Sequence, residues 1–186
     1  MRITVSGLPG SGTTSLARHL AKVLEYRLIS AGEVFRGMAR ERGLDLTEFG
    51  RLAESDASID REIDIRQREI AEGENDIIAE GRLSGWFVRN ADLKVWLQAS
   101  LSCRVERIFS RDTVRDVETA LLLTREREAC EARRYRDYYG IDIGNLSPYH
   151  LVLNSEKFTV EELSSLVETA IRVLEEREGK EGSDNP

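Results

Sequence analysis

Cysteine is scarce in this sequence, and no long apolar run occurs. Cys103 and Cys130 are the two cysteines among 186 residues, and they lack the paired spacing of a zinc site. We expect both to be small buried side chains, with a reactive thiol as the alternative. No apolar stretch approaches the roughly 20 residues that a membrane helix needs, and Met1 leads directly into a strand pattern rather than a signal peptide. A cytoplasmic protein with no membrane partner is therefore expected.

The sequence also lacks an excess of positive charge. Its 27 Lys and Arg residues stand against 34 Asp and Glu, which makes the formal net charge -7. A nucleic acid backbone would repel such a chain unless its arginines were gathered on one face, so we expect small-molecule nucleotides as partners and no nucleic acid. The length suits a single domain over residues 1–178, expected to be a monomer. The tail, residues 179–186, is expected to fray into solvent.

Five short apolar segments have the length of strands and alternate with helical patterns. The segments are Ile3–Val5, Arg27–Ile29, Asp76–Ala79, Leu93–Leu97 and Leu151–Leu153. Leu16, Leu20, Val23 and Leu24 share one helical face after the first segment, and Leu163, Leu166, Val167, Ile171 and Leu174 share another near the end of the chain. This alternation predicts an α/β fold in which about five parallel strands, each of them buried, are flanked by helices.

Two stretches are too long to be simple connections between strands. Residues 44–73 carry two helical patterns, which predicts a helical insertion over the edge of the sheet. Residues 102–147 open with a helix, pass a charged segment and continue as a long helix that ends near Gly140. We expect the central part of this second stretch, residues 104–134, to form a mobile lid over a bound substrate.

A glycine-rich turn stands between the first strand and the first helix. It comprises Gly7, Leu8, Pro9, Gly10, Ser11, Gly12, Thr13, Thr14 and Ser15. Glycines let the backbone approach oxygen atoms closely, and the positive end of the following helix adds to the attraction. The turn therefore predicts a site for the phosphates of a nucleoside triphosphate, with the Thr14 hydroxyl placed to bind Mg²⁺. The alternative is a turn that only tightens the packing of strand and helix.

The usual lysine of such a phosphate-binding loop is absent. The general pattern is G-x-x-x-x-G-K-[ST], and Thr13 occupies the lysine position. Because phosphoryl transfer depends on cations around the developing charge, we expect arginines to replace the lysine. Candidates follow strands at Arg36 and Arg82, and others are dense in the second long stretch. Those others are Arg104, Arg107, Arg111, Arg115, Arg125, Arg127, Arg133, Arg134 and Arg136. The alternative for this dense set is a solvated helix face, on which Arg127 and Glu131 form an i, i+4 pair.

With these features the chain resembles nucleoside monophosphate kinases of the P-loop class, and specifically cytidylate kinases of the archaeal type. The resemblance spans nearly the whole chain, and the archaeal type likewise carries Thr-Thr where most P-loop kinases have Lys-Thr. Its markers are residues 7–14, Ser30-Ala31-Gly32, Phe35-Arg36, Ile63-Asp64, Arg66-Gln67, Glu80-Gly81-Arg82, Thr124, Arg127-Glu128, Arg134-Tyr135, residues 139–142 and residues 151–155.

The resemblance implies transfer of the γ-phosphoryl group of ATP to CMP or dCMP, with Mg²⁺ bridging the outer phosphates. It implies that the insertion binds the acceptor, with Ser30, Arg36 and Arg82 among the acceptor-binding residues. Arg127 and Arg134 of the lid would flank the transferred group as catalytic residues, and lid closure would exclude water. The family pattern has aspartates where this chain has Asn145 and His150, which leaves the roles of those two residues open.

Three other functions fit the same residues. An adenylate-type kinase uses the same sheet, insertion and lid for a different acceptor. A non-catalytic nucleotide-binding protein is compatible with the absent lysine. A kinase that phosphorylates the hydroxyl of a small metabolite would not need both Arg36 and Arg82 on the acceptor side.

Overall fold

A computed structural model describes residues 1–111 and 114–181. Along the chain it contains β1 (Arg2–Gly7), α1 (Thr13–Leu24), β2 (Arg27–Ser30), α2 (Ala31–Glu41), α3 (Leu46–Ser55), α4 (Ala57–Gly73), β3 (Ile77–Glu80), α5 (Ser84–Phe87), β4 (Leu93–Gln98), α6 (Leu101–Arg111), α7 (Val117–Tyr139), β5 (Leu151–Asn154) and α8 (Val160–Glu181). The two long stretches between strands thus contain α3 and α4, and α6 and α7.

The strands form one parallel sheet in the order β2-β3-β1-β4-β5, which confirms the predicted fold class. The central strand β1 pairs with β3, where Val5 lies opposite Glu80, and with β4, where Gly7 lies opposite Leu97. Because all the strands run the same way, their carboxyl ends meet at one edge of the sheet, where ligands bind in open α/β sheets.

The expectation that every strand is buried is wrong for β2 and β5. These are the outer strands of the sheet, and in β5 the side chains alternate between half-buried and exposed, with Val152 46% exposed. An outer strand has a neighbour on one side only, so less of its surface is covered by the flanking helices. The inner strands β1, β3 and β4 are buried along most of their length.

Two apolar clusters hold helices α1 to α4 and α8 against the sheet. In the first, Leu16 and Leu20 of α1 and Leu163, Val167 and Ile171 of α8 are buried against the inner strands, as predicted. Val23 and Leu166, predicted on the same two faces, are instead 48% and 41% exposed, so the buried stripe of each helix is narrower than predicted. The second joins residues of α2, α3 and α4 to β2 and β3, and Phe49 and Met38 are fully buried there. Burial of each large side chain contributes roughly 2 kcal/mol.

Helices α7 and α8 end close to where the sequence predicts. Gly140 ends α7 in a left-handed conformation, with φ 65°, where a residue with a Cβ would be strained. Helix α8 continues to Glu181, and the rest of the predicted tail, residues 182–186, lies outside the described residues. None of the helices in the described ranges combines the length and apolarity needed to cross a membrane.

The cysteines do not have the environments expected of them. Cys130 is exposed on α7 and Cys103 is half-buried on α6. Both stand on helices whose outer faces meet solvent, and a helix residue's exposure follows from its position around the helix axis rather than from its own polarity.

Candidate active site

The turn between β1 and α1 requires glycine at defined positions. Gly10 and Gly12 have φ angles of 81° and 91°, a region that side chains disfavour. A Cβ at Gly10 would lie 2.6 Å from the carbonyl oxygen of Arg104, and one at Gly7 would lie 2.7 Å from that of Leu97. Gly12 is the N-cap of α1 and supplies no capping side chain, so the first N–H groups of the helix can bind an anion.

The two threonines that open α1 face different surroundings. Thr13 is buried, and its hydroxyl donates a 2.7 Å hydrogen bond to Glu80 Oε1 at the end of β3. The Thr14 hydroxyl is 3.4 Å from the same oxygen and lies at the surface. Thr13 therefore joins α1 to β3 in place of the usual lysine, while Thr14 and Glu80 present oxygen atoms side by side.

A cavity of about 630 Å³ opens over this turn at the carboxyl ends of the strands. Its lining combines loop backbone, arginines and an apolar flank. It is lined by Pro9, Gly10, Gly12, Thr13, Thr14, Ser15, Ala31, Gly32, Glu80, Gly81, Arg82, Arg107, Arg111, Arg127, Ser155, Phe158, Thr159, Val160 and Leu163. The volume is in the range of pockets that hold small-molecule ligands.

Arg82 and Arg127 are brought to this cavity by one carboxylate, that of Glu131. Arg82 Nε is 3.0 Å from Glu131 Oε2 and Arg127 Nε is 2.8 Å from Oε1, while Arg82 Nη1 donates to the carbonyl oxygen of Gly7 at 2.9 Å. Burial by itself raises the pKa of Glu131, yet the two guanidinium groups outweigh it and hold the pKa below its usual range. This Arg82–Glu131–Arg127 triad places two positive charges beside the turn.

Two arginines of α6, Arg104 and Arg107, brace the glycine turn. Arg104 is 4% exposed, donates to the carbonyl oxygens of Pro9 and Ala99 at 3.2 and 3.1 Å, and pairs with Glu128. Arg107 donates to the hydroxyl and carbonyl oxygens of Ser155 at 2.9 and 2.6 Å. Sequence reasoning placed both arginines in a dense set without singling them out, because their partners lie far away along the chain.

Comparison with known proteins identifies the family. Residues 2–157 match the cytidylate kinase-like family. The chain belongs to this family. It is 63% identical over 178 residues to the cytidylate kinase of Methanospirillum hungatei JF-1, covering 96% of this chain and 100% of that one. It is 60% identical over 174 residues to the cytidylate kinase of Methanoregula boonei, covering 94% and 96%. The resemblance read from the sequence motifs is confirmed.

Solved structures support the fold of this cytidylate kinase-like chain. A shikimate kinase from Bacteroides thetaiotaomicron superposes with a TM-score of 0.66 and covers 92% of this chain and 98% of its own. The sequence identity is 14%, so the likeness concerns the fold alone.

Other residues expected at the site lie apart from the Arg82–Glu131–Arg127 triad. Arg134 pairs with Asp60 of α4, and it is not among the described residues that line the cavity. The Ser30 hydroxyl accepts a hydrogen bond from the Glu33 N–H at 3.1 Å and so caps α2. Arg36 is exposed on α2, and its Nη1 would lie 3.3 Å from a Cβ at Gly32, which lines the cavity.

A second group of polar side chains, the α4–α7 cluster, consists of Asp60, Asp64, Arg134 and Tyr139. Asp60 pairs with Arg134, and the Tyr139 hydroxyl donates to Asp64 Oδ2 at 2.7 Å. The Phe87 ring contacts the Tyr139 ring edge-on, with centroids 4.9 Å apart. Burial raises the pKa of Asp64 to about 6 against the lowering effect of the Tyr139 hydrogen bond.

The two departures from the family pattern lie in the connection from α7 to β5. His150 exchanges hydrogen bonds with the backbone of Lys94, which stands at the amino end of β4. The cavity lies at the opposite end of the sheet. His150 therefore extends the β4–β5 pairing and does not reach the cavity. The Asn145 side chain accepts a hydrogen bond from the Ser147 N–H at 3.0 Å, which holds a local turn.

A metal ion would have few protein ligands at this site. Within residues 1–111 and 114–181, no group of three or more His, Cys, Asp or Glu side chains could hold one. Thr14 and Glu80 offer a hydroxyl and a carboxylate at the mouth of the turn. Mg²⁺ is commonly held in this way, by one or two protein oxygens together with substrate phosphates and water.

Proposed function

We propose that this chain transfers the γ-phosphoryl group of ATP to CMP or dCMP, giving ADP and CDP or dCDP. The observation that carries the proposal is the cavity in which the glycine turn, Glu80 and the Arg82–Glu131–Arg127 triad converge. It occurs in a chain that is 63% identical to a cytidylate kinase over nearly its whole length.

The glycine turn, residues 7–15, binds the triphosphate of ATP in this proposal. The N–H groups at the start of α1 and in the turn surround the phosphate oxygens, and Arg104 and Arg107 stabilise the turn by donating to the carbonyl oxygens of Pro9 and Gly10. The Thr14 hydroxyl and the Glu80 carboxylate would hold Mg²⁺, which neutralises the negative charge of the outer phosphates.

Arg82 and Arg127 provide the positive charge that the loop lacks at Thr13. The buried Glu131 carboxylate pairs with both guanidinium groups and keeps their positive charges beside the cavity, where they can stabilise the negative charge of the transition state. The acceptor phosphate is already an oxyanion, so the reaction requires alignment and charge neutralisation rather than a general base. Arg82 contacts the acceptor phosphate and Arg127 the transferred group, with Arg36 near the entrance beside Gly32.

A panel of acceptors tests the proposal. The protein is incubated with ATP, Mg²⁺ and CMP, dCMP, UMP, AMP or shikimate in turn, and ADP formation is measured. We expect ADP with CMP or dCMP at the lowest acceptor concentration. A preference for AMP would instead indicate an adenylate-type kinase, and ATP binding without turnover on any acceptor would indicate a non-catalytic nucleotide-binding protein. Turnover on shikimate alone would indicate a small-metabolite kinase.

A further inference from the structure

We propose that Arg104 and Glu128 are positioning residues for phosphoryl transfer, which together set the place of helix α7 relative to the glycine turn. Their contact acts on the reaction through Arg127, the residue that precedes Glu128 on α7. This inference rests on the proposed function, because it takes the turn as the site of the triphosphate and Arg127 as the contact of the transferred group. Arg104 and Glu128 themselves are given no contact with either substrate.

Helices α6 and α7 are not held to the sheet in the way that the other long helices are. Within residues 1–111 and 114–181, neither of the two apolar clusters includes a residue of α6 or α7. The buried side of α7 is largely polar, since it carries Thr124 and Glu131 beside Ala120. With little apolar burial to fix its place, α7 depends on directed polar contacts for its position over the cavity.

Arg104 joins α7 to the glycine turn through one nitrogen atom. Its Nη1 pairs with the Glu128 carboxylate and also donates to the carbonyl oxygen of Pro9 at 3.2 Å, while its Nε donates to that of Ala99 at 3.1 Å. The side chain of Arg104 is 5% exposed and that of Glu128 is 21% exposed. Since a buried charge that loses its partner is costly, this guanidinium group holds Glu128 and the turn together.

A second connection of the same kind lies beside the first. Glu131, three residues after Glu128 and next to it on the helix surface, pairs with Arg82, and Arg82 donates to the carbonyl oxygen of Gly7 at 2.9 Å. Two carboxylates of α7 thus reach two carbonyl oxygens of the turn, each through an arginine from another part of the chain. Two connections fix the rotation of α7 as well as its distance from the turn, whereas one would leave the helix free to pivot about it.

The position of Arg127 over the cavity depends on these connections. Its guanidinium pairs with Glu131 of its own helix at 2.8 Å, and its side chain is 59% exposed. A contact within α7 fixes the guanidinium on the helix, whereas its place relative to the phosphates follows from where α7 lies against the turn. A displacement of about 1 Å can slow a positioned reaction about 100-fold. Losing the contact between Arg104 and Glu128 should therefore slow the transfer step.

Glu128→Gln tests the role of this contact in the transfer step. The amide keeps the shape of the side chain but loses the charge opposite Arg104, and Arg104 retains its hydrogen bond with Pro9. We expect kcat with ATP and CMP to fall about 10-fold or more and KM for ATP to stay within about 3-fold. Glu126→Gln, which removes an exposed carboxylate from the same helix, is the matched control and should leave both constants unchanged.

The Arg127→Ala background separates positioning from a general structural role. If Glu128 acts through Arg127, adding Glu128→Gln to Arg127→Ala should lower kcat by only about a further 2-fold or less. An unchanged kcat in the single variant, or the full loss in both backgrounds, would overturn the positioning role while leaving the proposed function intact. If the wild-type protein forms no ADP with CMP or dCMP, the proposed function itself fails, and that result is seen before any variant is compared.

Arg104→Lys gives an independent reading should Glu128→Gln fail to fold. A lysine keeps the positive charge beside Glu128 but lacks the planar set of donors that serves Pro9, Ala99 and Glu128 together. We expect kcat to fall about 10-fold or more and KM for ATP to rise about 3-fold or more, because the turn also loses a donor. In the Arg127→Ala background the fall in kcat should shrink to about 2-fold or less, while the rise in KM persists. A wild-type kcat in Arg104→Lys would contradict the proposal.

Discussion

The two sides of the candidate site are built differently. On the side proposed to bind the donor, the buried Arg104 donates to the backbone of the glycine turn and the buried Thr13 donates to the Glu80 carboxylate, and these residues are 4% and 6% exposed. On the acceptor side, α4 and α7 meet through pairs of side chains, and those of Asp60 and Arg134 are 26% and 32% exposed. Backbone contacts define a rigid surface, whereas half-exposed ion pairs contribute little stability and can exchange partners. The donor side is therefore preformed, and the acceptor side is suited to rearrange around a ligand.

Gly10→Ala should have the largest effect on activity, because it changes the backbone of the preformed side of the site. The added Cβ would lie 2.6 Å from the Arg104 carbonyl oxygen at a φ of 81°, and a left-handed conformation costs a side chain about 1–2 kcal/mol even without the clash. We expect kcat/KM for ATP to fall by about 100-fold or more. Gly37→Ala on the acceptor-side helix α2 meets open space and should stabilise the protein by up to about 1 kcal/mol. Unimpaired ATP binding by Gly10→Ala would contradict a rigid donor side.

Arg127→Ala tests whether helix α7 contributes to the transfer step. Its guanidinium lines the cavity and is held by Glu131, so removing it should lower kcat by about 100-fold and leave KM for ATP within about 3-fold. Steady-state kinetics measure both constants. Arg125→Ala, an exposed arginine on the same helix, is the control and should behave as wild type. A rise in KM for ATP at constant kcat would assign Arg127 to donor binding instead.

Asp64→Asn should stabilise the acceptor side at neutral pH. Burial raises the pKa of Asp64 from 3.8 to about 6, so between these values the folded protein binds more protons than the unfolded one, and stability falls as pH rises through that window. Asp60 on α4 and Arg134, Tyr135 and Tyr139 on α7 are the charged and titratable groups around it.

The expected gain for this variant is about 2 kcal/mol at pH 7, since each pKa unit corresponds to about 1.4 kcal/mol and the hydrogen bond with Tyr139 is weakened. Urea unfolding at pH 7 measures this gain, and most of it should disappear at pH 4, where the folded protein already holds Asp64 in its protonated form. If the variant is less stable than wild type at pH 7, the neighbouring groups of Asp64 must stabilise its ionised carboxylate by more than burial destabilises it.

Glu131→Gln should have the smallest effect on catalysis. The amide keeps the shape of the side chain but loses the charge that holds Arg82 and Arg127, and Arg82 retains its contact with the Gly7 carbonyl oxygen. We expect kcat to fall about 10-fold. Because Glu131 acts through Arg127, adding Glu131→Gln to the Arg127→Ala variant should lower kcat by only about a further 2-fold or less. Additive losses in the double variant would refute this coupling.

Local patterns account for what could be predicted from the sequence. The five strands and the buried faces of α1 and α8 follow from hydrophobic periodicity, and the glycine turn follows from its spacing. Glu131 shows why the rest could not be predicted. Its i, i+4 relation to Arg127 indicated a solvated helix face, yet Glu131 is 6% exposed and also contacts Arg82, 49 residues away.

The sequence by itself determined the fold class, the glycine-rich turn and the family, because each depends on short-range spacing or on motifs spread along the chain. Only the tertiary structure decided how the arginines divide between the two sides of the site. Arg82 and Arg127 meet at Glu131, whereas Arg134 faces Asp60, although Arg127 and Arg134 are two turns apart on one helix. The physical reason is that oppositely charged side chains on α7, on α4 and just after β3 meet only in the folded chain, and their separation along the sequence does not show which of them will meet.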